Sequence, residues 1–144
     1  MKRAGFTLVE MVIVLGIIGM ILLTTTPPLM NGFQKWQHEQ FWRELRQEWQ
    51  FSQTTSMTSH QPTDIFYDPK TREVIFISTN HERTIKVPEQ LRVQNAPSRV
   101  MKSSGYIQPG TWEFIDLLNH QEVLIRIQMA GGGYRIEKKR FSVG

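Results

Sequence analysis

The fold of this chain is decided at its N-terminus, where a short basic stretch runs directly into a long apolar one. The stretch reads Lys2-Arg3-Ala4-Gly5-Phe6-Thr7-Leu8-Val9-Glu10 and continues without a charged residue from Met11 to Leu23. Glu10 is therefore the single acidic residue of a membrane-length apolar segment. A carboxylate in hydrocarbon costs about 3 kcal/mol on insertion scales, and an ionisable residue in such a place indicates a function.

A partner for Glu10 can be created by proteolysis. Cleavage between Gly5 and Phe6 produces a new α-amine four residues before Glu10. That amine is largely cationic near neutral pH. It can therefore pair with a Glu10 carboxylate inside the hydrocarbon.

This arrangement of residues resembles the processing motif of type IV pilin-like proteins. In that family a prepilin peptidase removes a short basic leader after the glycine, and the new N-terminal phenylalanine is N-methylated. The glutamate four residues on pairs with the terminal amine of a neighbouring subunit during assembly. The resemblance implies cleavage between Gly5 and Phe6, methylation of Phe6, and an assembly salt bridge at Glu10.

Two prolines follow the apolar tract. Related pilins carry a helix-breaking proline at the position of Pro27, and Pro28 comes directly after it. Each proline removes a backbone donor, and Pro28 also disfavours a helical conformation of Pro27. We therefore expect a kink or break between Thr24 and Gly32.

The length of the apolar segment agrees with a membrane span. As a helix, Phe6–Leu23 is roughly 27 Å long, and continuing to Met30 adds about 10 Å, enough for a hydrocarbon layer of about 30 Å. We therefore expect a leader peptide at residues 1–5, a transmembrane and assembly helix at 6–30, and an extracellular domain at 31–144.

The orientation of the chain follows from its leader. Lys2 and Arg3 immediately precede the apolar segment, which predicts a single-pass protein with a cytoplasmic N-terminus. The C-terminal domain then faces outward, and it lies on the cell surface once the chain is assembled in a pilus.

The remaining chain predicts an α+β, pilin-like fold with a long N-terminal helix packed on a mainly antiparallel sheet. The helix is expected to continue to about Thr55, because five residues recur on one arc of roughly 100° that should face the sheet: Phe41, Trp42, Leu45, Trp49 and Ser52. Alternating patterns then predict strands at Asp64–Tyr67, Glu73–Ser78, Arg83–Val87, Gln90–Gln94, Tyr106–Gln108, Thr111–Leu117, Glu122–Met129 and Tyr134–Phe141.

Three aromatic residues project to a different side of the same helix. They are Phe33, Trp36 and Phe51. One interpretation is that loops of the domain cover them. The other is that they pack against neighbouring subunits of a filament.

The C-terminal half resembles one pilin subgroup. Ser104–Phe114 and the Gly-rich stretch Ile127–Ile136 look like the strand-turn-strand pattern of the ComGD-type minor competence pseudopilins of Gram-positive bacteria. Those subunits belong to a transformation pilus that takes up external DNA. The resemblance extends the pilin-like hypothesis to most of the chain.

The sequence offers no enzyme chemistry. The four histidines, His38, His60, His81 and His120, are widely separated, there is no His-Glu-x-x-His motif, and cysteine is absent. We therefore expect a non-enzymatic protein with no metal and no cofactor.

The charge composition by itself does not indicate nucleic-acid binding. The net charge of +4 reflects 17 Lys and Arg against 13 Asp and Glu. One segment of the final strand is more basic, with Arg135, Lys138, Lys139 and Arg140, and DNA phosphates are one candidate partner for it. The other interpretation is a solvated edge strand that charge protects from aggregation.

These observations lead to one preferred function and two alternatives. The preferred one is a minor pseudopilin of a competence pilus, with other pseudopilins, a prepilin peptidase and the membrane as its partners. A pseudopilin of a type II-like secretion system or another type IV pilus shares every N-terminal feature. A membrane-tethered binding protein differs by retaining its leader.

Overall fold

The computed structural model describes residues 7–128 and 131–141, without the side chains of residues 25–31. The chain divides into two compact units, Met1–Trp36 and Gln37–Gly144. Its elements are one helix, α1 (Leu8–Ser59), and eight strands: β1 (Thr63–Asp68), β2 (Glu73–Ser78), β3 (His81–Lys86), β4 (Leu91–Asn95), β5 (Arg99–Met101), β6 (Gly110–Asp116), β7 (Gln121–Ile127) and β8 (Tyr134–Arg140).

The first unit consists of the N-terminal part of α1. From Leu8 to Leu23 the large apolar side chains are exposed. Within the described part of the chain, no helical stretch combines the length and the hydropathy that a membrane crossing requires.

Helix α1 is continuous through Pro27 and Pro28, so the break expected between Thr24 and Gly32 does not occur. A proline removes one backbone donor and perturbs the preceding turn, and it can be accommodated as a local defect within a long helix. The side chains of both prolines lie outside the described part, and a kink at this point stays a prediction.

The second unit contains two sheets, where the sequence predicted one. Their strand orders are β3-β2-β1-β5 and β4-β6-β7-β8, and every pairing in them is antiparallel. The α+β class and the antiparallel pairing are thus as predicted. The second sheet is a continuous meander from β6 through β8, since short turns join those strands.

The predicted inner face of α1 is confirmed. Phe41, Leu45, Trp49 and Ser52 are at most 2% exposed, and Trp42 packs against the core at its edge. These residues recur with the 3.6-residue period of a helix, so their side chains share one face, and that face packs on the strands. The helix ends at Ser59, one turn beyond the expected end, because Ser56 is also fully buried and its hydroxyl bonds that of Thr63 at 2.9 Å.

Trp49 joins the two sheets. Its ring lies 6.4 Å from that of Phe76 on β2 and 6.2 Å from that of Trp112 on β6, both edge to face. Its indole N–H donates to the carbonyl of Gly132 at 2.9 Å, and Gly132 has a φ of +65° in the turn before β8. One side chain of α1 therefore contacts both sheets and the β7–β8 turn.

One predicted strand is wrong. Tyr106–Gln108 forms only an isolated bridge between Ile107 and Met101, whereas the segment Arg99–Met101, which was not predicted, forms β5. A tight turn at Lys102–Tyr106, with Gly105 at φ +76°, leaves too little extended chain for a ladder. Three residues are too few to show an alternating pattern, which explains why β5 was missed.

We expect Trp49→Ala to lower the free energy of unfolding by about 3–5 kcal/mol, because it leaves a cavity against both sheets and an unpaired Gly132 carbonyl. Trp36→Ala, at a site on the same helix where the side chain is 54% exposed, should change it by no more than about 0.5 kcal/mol. Urea unfolding of the detergent-solubilised chain, followed by near-UV circular dichroism, measures both. Equal losses for the two variants would contradict this account of the core.

Candidate functional site

Glu10 lies in the first turn of α1. Thr7 precedes the helix, and its hydroxyl accepts the backbone N–H of Glu10 at 3.4 Å. The Thr7 carbonyl accepts the N–H of Met11 at 3.3 Å. Thr7 is therefore the N-cap of the helix, and Glu10 occupies its third position.

This position gives Glu10 a local role that the sequence analysis overlooked. Thr-x-x-Glu is the pattern of a capping box, and an acidic side chain in the first turn interacts favourably with the helix dipole, by about 0.3–1 kcal/mol. The signal was present in Thr7-Leu8-Val9-Glu10. The side chain of Glu10 is exposed, so its carboxylate is available to a partner. Gly5 and Phe6, the predicted cleavage and methylation sites, lie outside the described residues.

The three predicted packing aromatics are exposed. Phe33 and Trp36 are 57% and 54% exposed, and their rings stack with centroids 5.8 Å apart and an angle of 22°. Phe51 is 49% exposed, and its ring lies 4.8 Å from that of His81 on β3. About half of each side chain is therefore accessible in the described part of the chain. Packing against another subunit stays a prediction.

The basic residues near the C-terminus lie on β8, which is an edge strand of its sheet. This is the position that the interpretation as a solvated, charge-protected edge strand requires. Strand alternation divides them between two faces. Tyr134 and Ile136 pack against the core, which places Lys138 and Arg140 on the same face as these two residues. Arg135 and Lys139 point to the other face. The four residues therefore do not form one contact surface.

The outer face of β8 is largely balanced in charge. Glu137 pairs with Arg126 of β7, with Oε2 and Nε 3.1 Å apart. Lys139 lies opposite Glu122 in the strand register. Lys139 thus has an acidic side chain close by, which weakens it as a partner for DNA phosphates, whereas Arg135 lies opposite Arg126, another cation.

A buried ionisable pair that the sequence analysis missed lies between α1 and the end of β6. His38 Nε2 lies 3.0 Å from Asp116 Oδ2, and the two residues are 5% and 0% exposed. Seventy-eight positions separate them in the chain, so no local pattern revealed the contact. Among the described residues, no group of three His, Cys, Asp or Glu side chains is placed to hold a metal ion.

Asp116 also organises the β6–β7 turn. Its Oδ1 accepts the backbone N–H groups of Leu118 and Asn119, and its Oδ2 accepts the side-chain amides of Asn119 and Gln121, at 2.7–3.1 Å. Burial raises the pKa of this carboxyl, but the hydrogen bonds from Asn119 and Gln121 and the proximity of His38 outweigh burial, so its pKa is lowered overall.

The ionised state of Asp116 decides the proton position on His38. The indole N–H of Trp42 also approaches His38 Nε2, at 3.3 Å. One ring nitrogen cannot both accept from Trp42 and donate to Asp116. Because the contact with the ionised carboxylate is shorter, we assign the proton to Nε2 as a donor to Asp116. Trp42 then makes an edge contact with the imidazole ring.

We expect Asp116→Asn to lower the free energy of unfolding at pH 7 by about 1–3 kcal/mol, because its amide turns a donor toward groups that also donate. The folded pKa of Asp116 is lowered, so the stabilisation is present above about pH 5 and is lost as the pH falls through that pKa. The difference in the free energy of unfolding between the unsubstituted protein and Asp116→Asn should therefore disappear at acid pH. Urea midpoints from pH 7 to pH 2 measure it.

Asp64→Asn is the control for this variant, because Asp64 is exposed on β1. It should change the urea midpoint little at any pH. A gap for Asp116→Asn that stays constant down to pH 2 would contradict the role given to the ionised carboxylate.

Comparison with known proteins identifies the N-terminal segment and the fold. Residues 1–26 match the family described as "Prokaryotic N-terminal methylation motif". The fold is similar to that of the minor pseudopilin EpsH from the type 2 secretion system of Vibrio cholerae, with a TM-score of 0.51 and 17% identity. The match covers 66% of this chain and 91% of the EpsH chain. No curated protein sequence matches the chain.

The motif accounts for the basic leader, the apolar tract and the position of Glu10, and it indicates a pilin-type N-terminal anchor and association with a membrane. The structural likeness accounts for the helix and the antiparallel sheets that follow. The chain carries a prokaryotic N-terminal methylation motif and has a fold similar to that of the minor pseudopilin EpsH.

Proposed function

We propose that this chain is a non-enzymatic minor pseudopilin of a competence pilus that takes part in the uptake of external DNA. The observation that supports it most is the match of residues 1–26 to the methylation motif, together with an exposed Glu10 in the first helical turn. The resemblance of the C-terminal half to ComGD-type subunits supports the competence role.

The first step of the proposed mechanism is processing of the membrane-inserted chain. Residues 6–30 insert as a single pass with Lys2 and Arg3 on the cytoplasmic side. A prepilin peptidase cleaves between Gly5 and Phe6, and Phe6 is methylated on its new amine. The leader is lost, and a cation is created at the start of the apolar segment.

The second step is entry into the filament. The new N-terminus and Thr7 both precede the first turn of α1, and Glu10 projects from that turn. Pairing of Glu10 with the amine of a neighbouring subunit neutralises two charges in an apolar surrounding, which offsets the cost of about 3 kcal/mol for a lone carboxylate there. The pair also sets the axial position of one subunit against the next.

The exposed aromatics extend the same contact along the helix. Phe33 and Trp36 stack on each other and expose about half of their area each, a pattern that aromatic residues show at protein interfaces. In the proposed filament they pack against the helices of adjacent pseudopilins.

Glu10 also caps the helix, so a test of the salt bridge needs a second variant that removes the charge but keeps the capping group. Glu10→Ala and Glu10→Gln should both be inserted and cleaved, yet both should be strongly depleted from sheared surface fractions. Gln keeps the capping-box chemistry and loses only the charge. Immunoblots of membrane and sheared fractions from the native host measure both steps.

Glu39→Ala removes an exposed carboxylate from a later turn of the same helix and is the matched control. It should enter the sheared fraction normally. Normal incorporation of Glu10→Gln beside failure of Glu10→Ala would show that helix capping, and not charge pairing, is the role of Glu10. A mature chain that begins at Met1 would overturn the proposal as a whole.

The second candidate function is a subunit of a type II-like secretion system. EpsH belongs to such a system, but at 17% identity the likeness concerns the fold and does not choose between the two systems. If the competence role is right, deletion of the gene should abolish transformation and leave the profile of secreted proteins unchanged. Measuring both in one strain discriminates, because a secretion pseudopilin gives the opposite result.

A further inference from the structure

Strand β8 is the longest free sheet edge in the described part of the second unit. It ends the order β4-β6-β7-β8, and no described strand lies beyond it. Its register with β7 is regular over the whole length from Tyr134 to Arg140. Backbone N–H and C=O groups at such an edge can pair with the backbone of another chain.

The hydrogen bonds at the two ends of the β7–β8 pair show which residues of β8 face outward. The N–H of Gln128 donates to the Gly133 carbonyl at 2.9 Å, and the N–H of Phe141 donates to the His120 carbonyl at 3.4 Å. Because residues of an antiparallel strand alternate between bonding inward and outward, the odd-numbered residues of β8 bond to β7. The residues whose backbone groups point to the free edge are Tyr134, Ile136, Lys138 and Arg140.

The other edges of the two sheets are less available. Strand β5 has only three residues, and the register of β4 is irregular between Val93 and Asn95. On β3, the side chains of His81 and Arg83 are engaged by carboxylates of α1. A short edge strand and a bulged one are common means of preventing pairing with another chain, so β8 is the edge best suited to accept a strand.

The free edge of β8 borders a groove with uncompensated positive charge. The groove lies between α1 and β8 and has a volume of about 670 Å³. Arg43 and Arg46 line it from α1 and Lys138 lines it from β8, and all three side chains are exposed. None of them forms a salt bridge within the described part of the chain, and Glu39 is the single carboxylate among the lining residues.

An added strand would direct half of its side chains into this groove. Lys138 lies on the face of β8 that carries Ile136, which packs against the core. A strand paired with β8 would lie about 4.8 Å from it, and every second side chain would project beside Lys138 on that face. Arg43 and Arg46 are three residues apart, so they share one face of α1 and line the opposite wall. Carboxylates at alternate positions of the added strand would therefore meet cations on both walls.

We propose that the free edge of β8 binds an extended acidic segment of a partner protein, which adds an antiparallel strand to the sheet and places alternate carboxylates in the groove. Backbone hydrogen bonds supply affinity in this mode of binding, and the side chains beside the edge select the sequence.

A second copy of β8 does not fit this description. Antiparallel pairing of two such strands would bring Lys138 and Arg140 close to the same cations of the other copy, and like charges on opposite strands are destabilising. The charge that protects the edge from copies of itself thus favours an acidic strand. This inference concerns the second unit alone and does not depend on the competence role.

A fluorescently labelled synthetic peptide of alternating glutamate and threonine tests strand addition on the full detergent-solubilised chain. In the antiparallel arrangement the glutamates lie opposite the even-numbered residues of β8, so the glutamate amides face β8. Methylation of these amide nitrogens should weaken binding, measured by fluorescence anisotropy, at least about tenfold. Methylation of the same number of threonine amides should weaken it less than about twofold. A peptide that tolerates methyl groups on its glutamate amides overturns the proposal.

The cations of the groove are tested with the unmethylated peptide. The triple variant Arg43→Gln, Arg46→Gln, Lys138→Gln should bind it at least about tenfold more weakly. Thermal unfolding establishes that the variant is folded, and the methylated peptides test the same contact without altering the protein.

The matched control removes the same number of charges at exposed positions outside the groove, with Lys70→Gln, Lys86→Gln and Arg92→Gln. It should retain most of the affinity. Equal losses in the two triple variants overturn the proposal, since binding then follows net charge alone.

Amide hydrogen exchange separates strand addition from simple ion binding. Inorganic polyphosphate can occupy the cations but has no backbone to pair with β8. Saturating peptide should slow exchange of the Lys138 and Arg140 amides at least about tenfold by NMR, and polyphosphate should leave them unchanged. No protection by the peptide, or equal protection by both ligands, contradicts the proposal. None of these measurements involves the N-terminal motif, so their failure leaves the pseudopilin assignment in place.

Discussion

The contact of Trp49 with both sheets is the interaction on which the rest of the second unit depends. Its ring lies between Phe76 of one sheet and Trp112 of the other, and its N–H holds the turn that leads into β8. Without it, the two antiparallel sheets would share less of a core, since each is only four strands wide. The same hydrogen bond connects the turn before β8 to α1.

Glu10 and His38 make two different kinds of polar interaction on the same helix. Near its start, Glu10 is exposed and close to the helix N-terminus, where a carboxylate is stabilised and remains free to bind. Further along, His38 is buried and committed to Asp116, whose other hydrogen bonds hold the β6–β7 turn. Exposure therefore separates the side chain proposed for assembly from the one that stabilises the domain.

The exposed aromatic residues Phe33 and Trp36 of α1 and its basic residues Arg43 and Arg46 lie in different units. Phe33 and Trp36 belong to the first unit, whereas Trp42, Arg43 and Arg46 belong to the second. In the proposed pilus, Phe33 and Trp36 contact neighbouring subunits.

The sequence by itself determined the N-terminal motif, the inner face of α1 and most of the strands, because each depends on residues that are close in the chain and repeat with a fixed period. It also contained the capping box at Thr7 and Glu10, which went unrecognised. Only the tertiary structure decided the division into two sheets, the three-residue β5, the pairing of His38 with Asp116, and which basic residues of β8 face α1. These features depend on contacts between distant segments and on the direction of side chains at a sheet edge, and no local pattern encodes them.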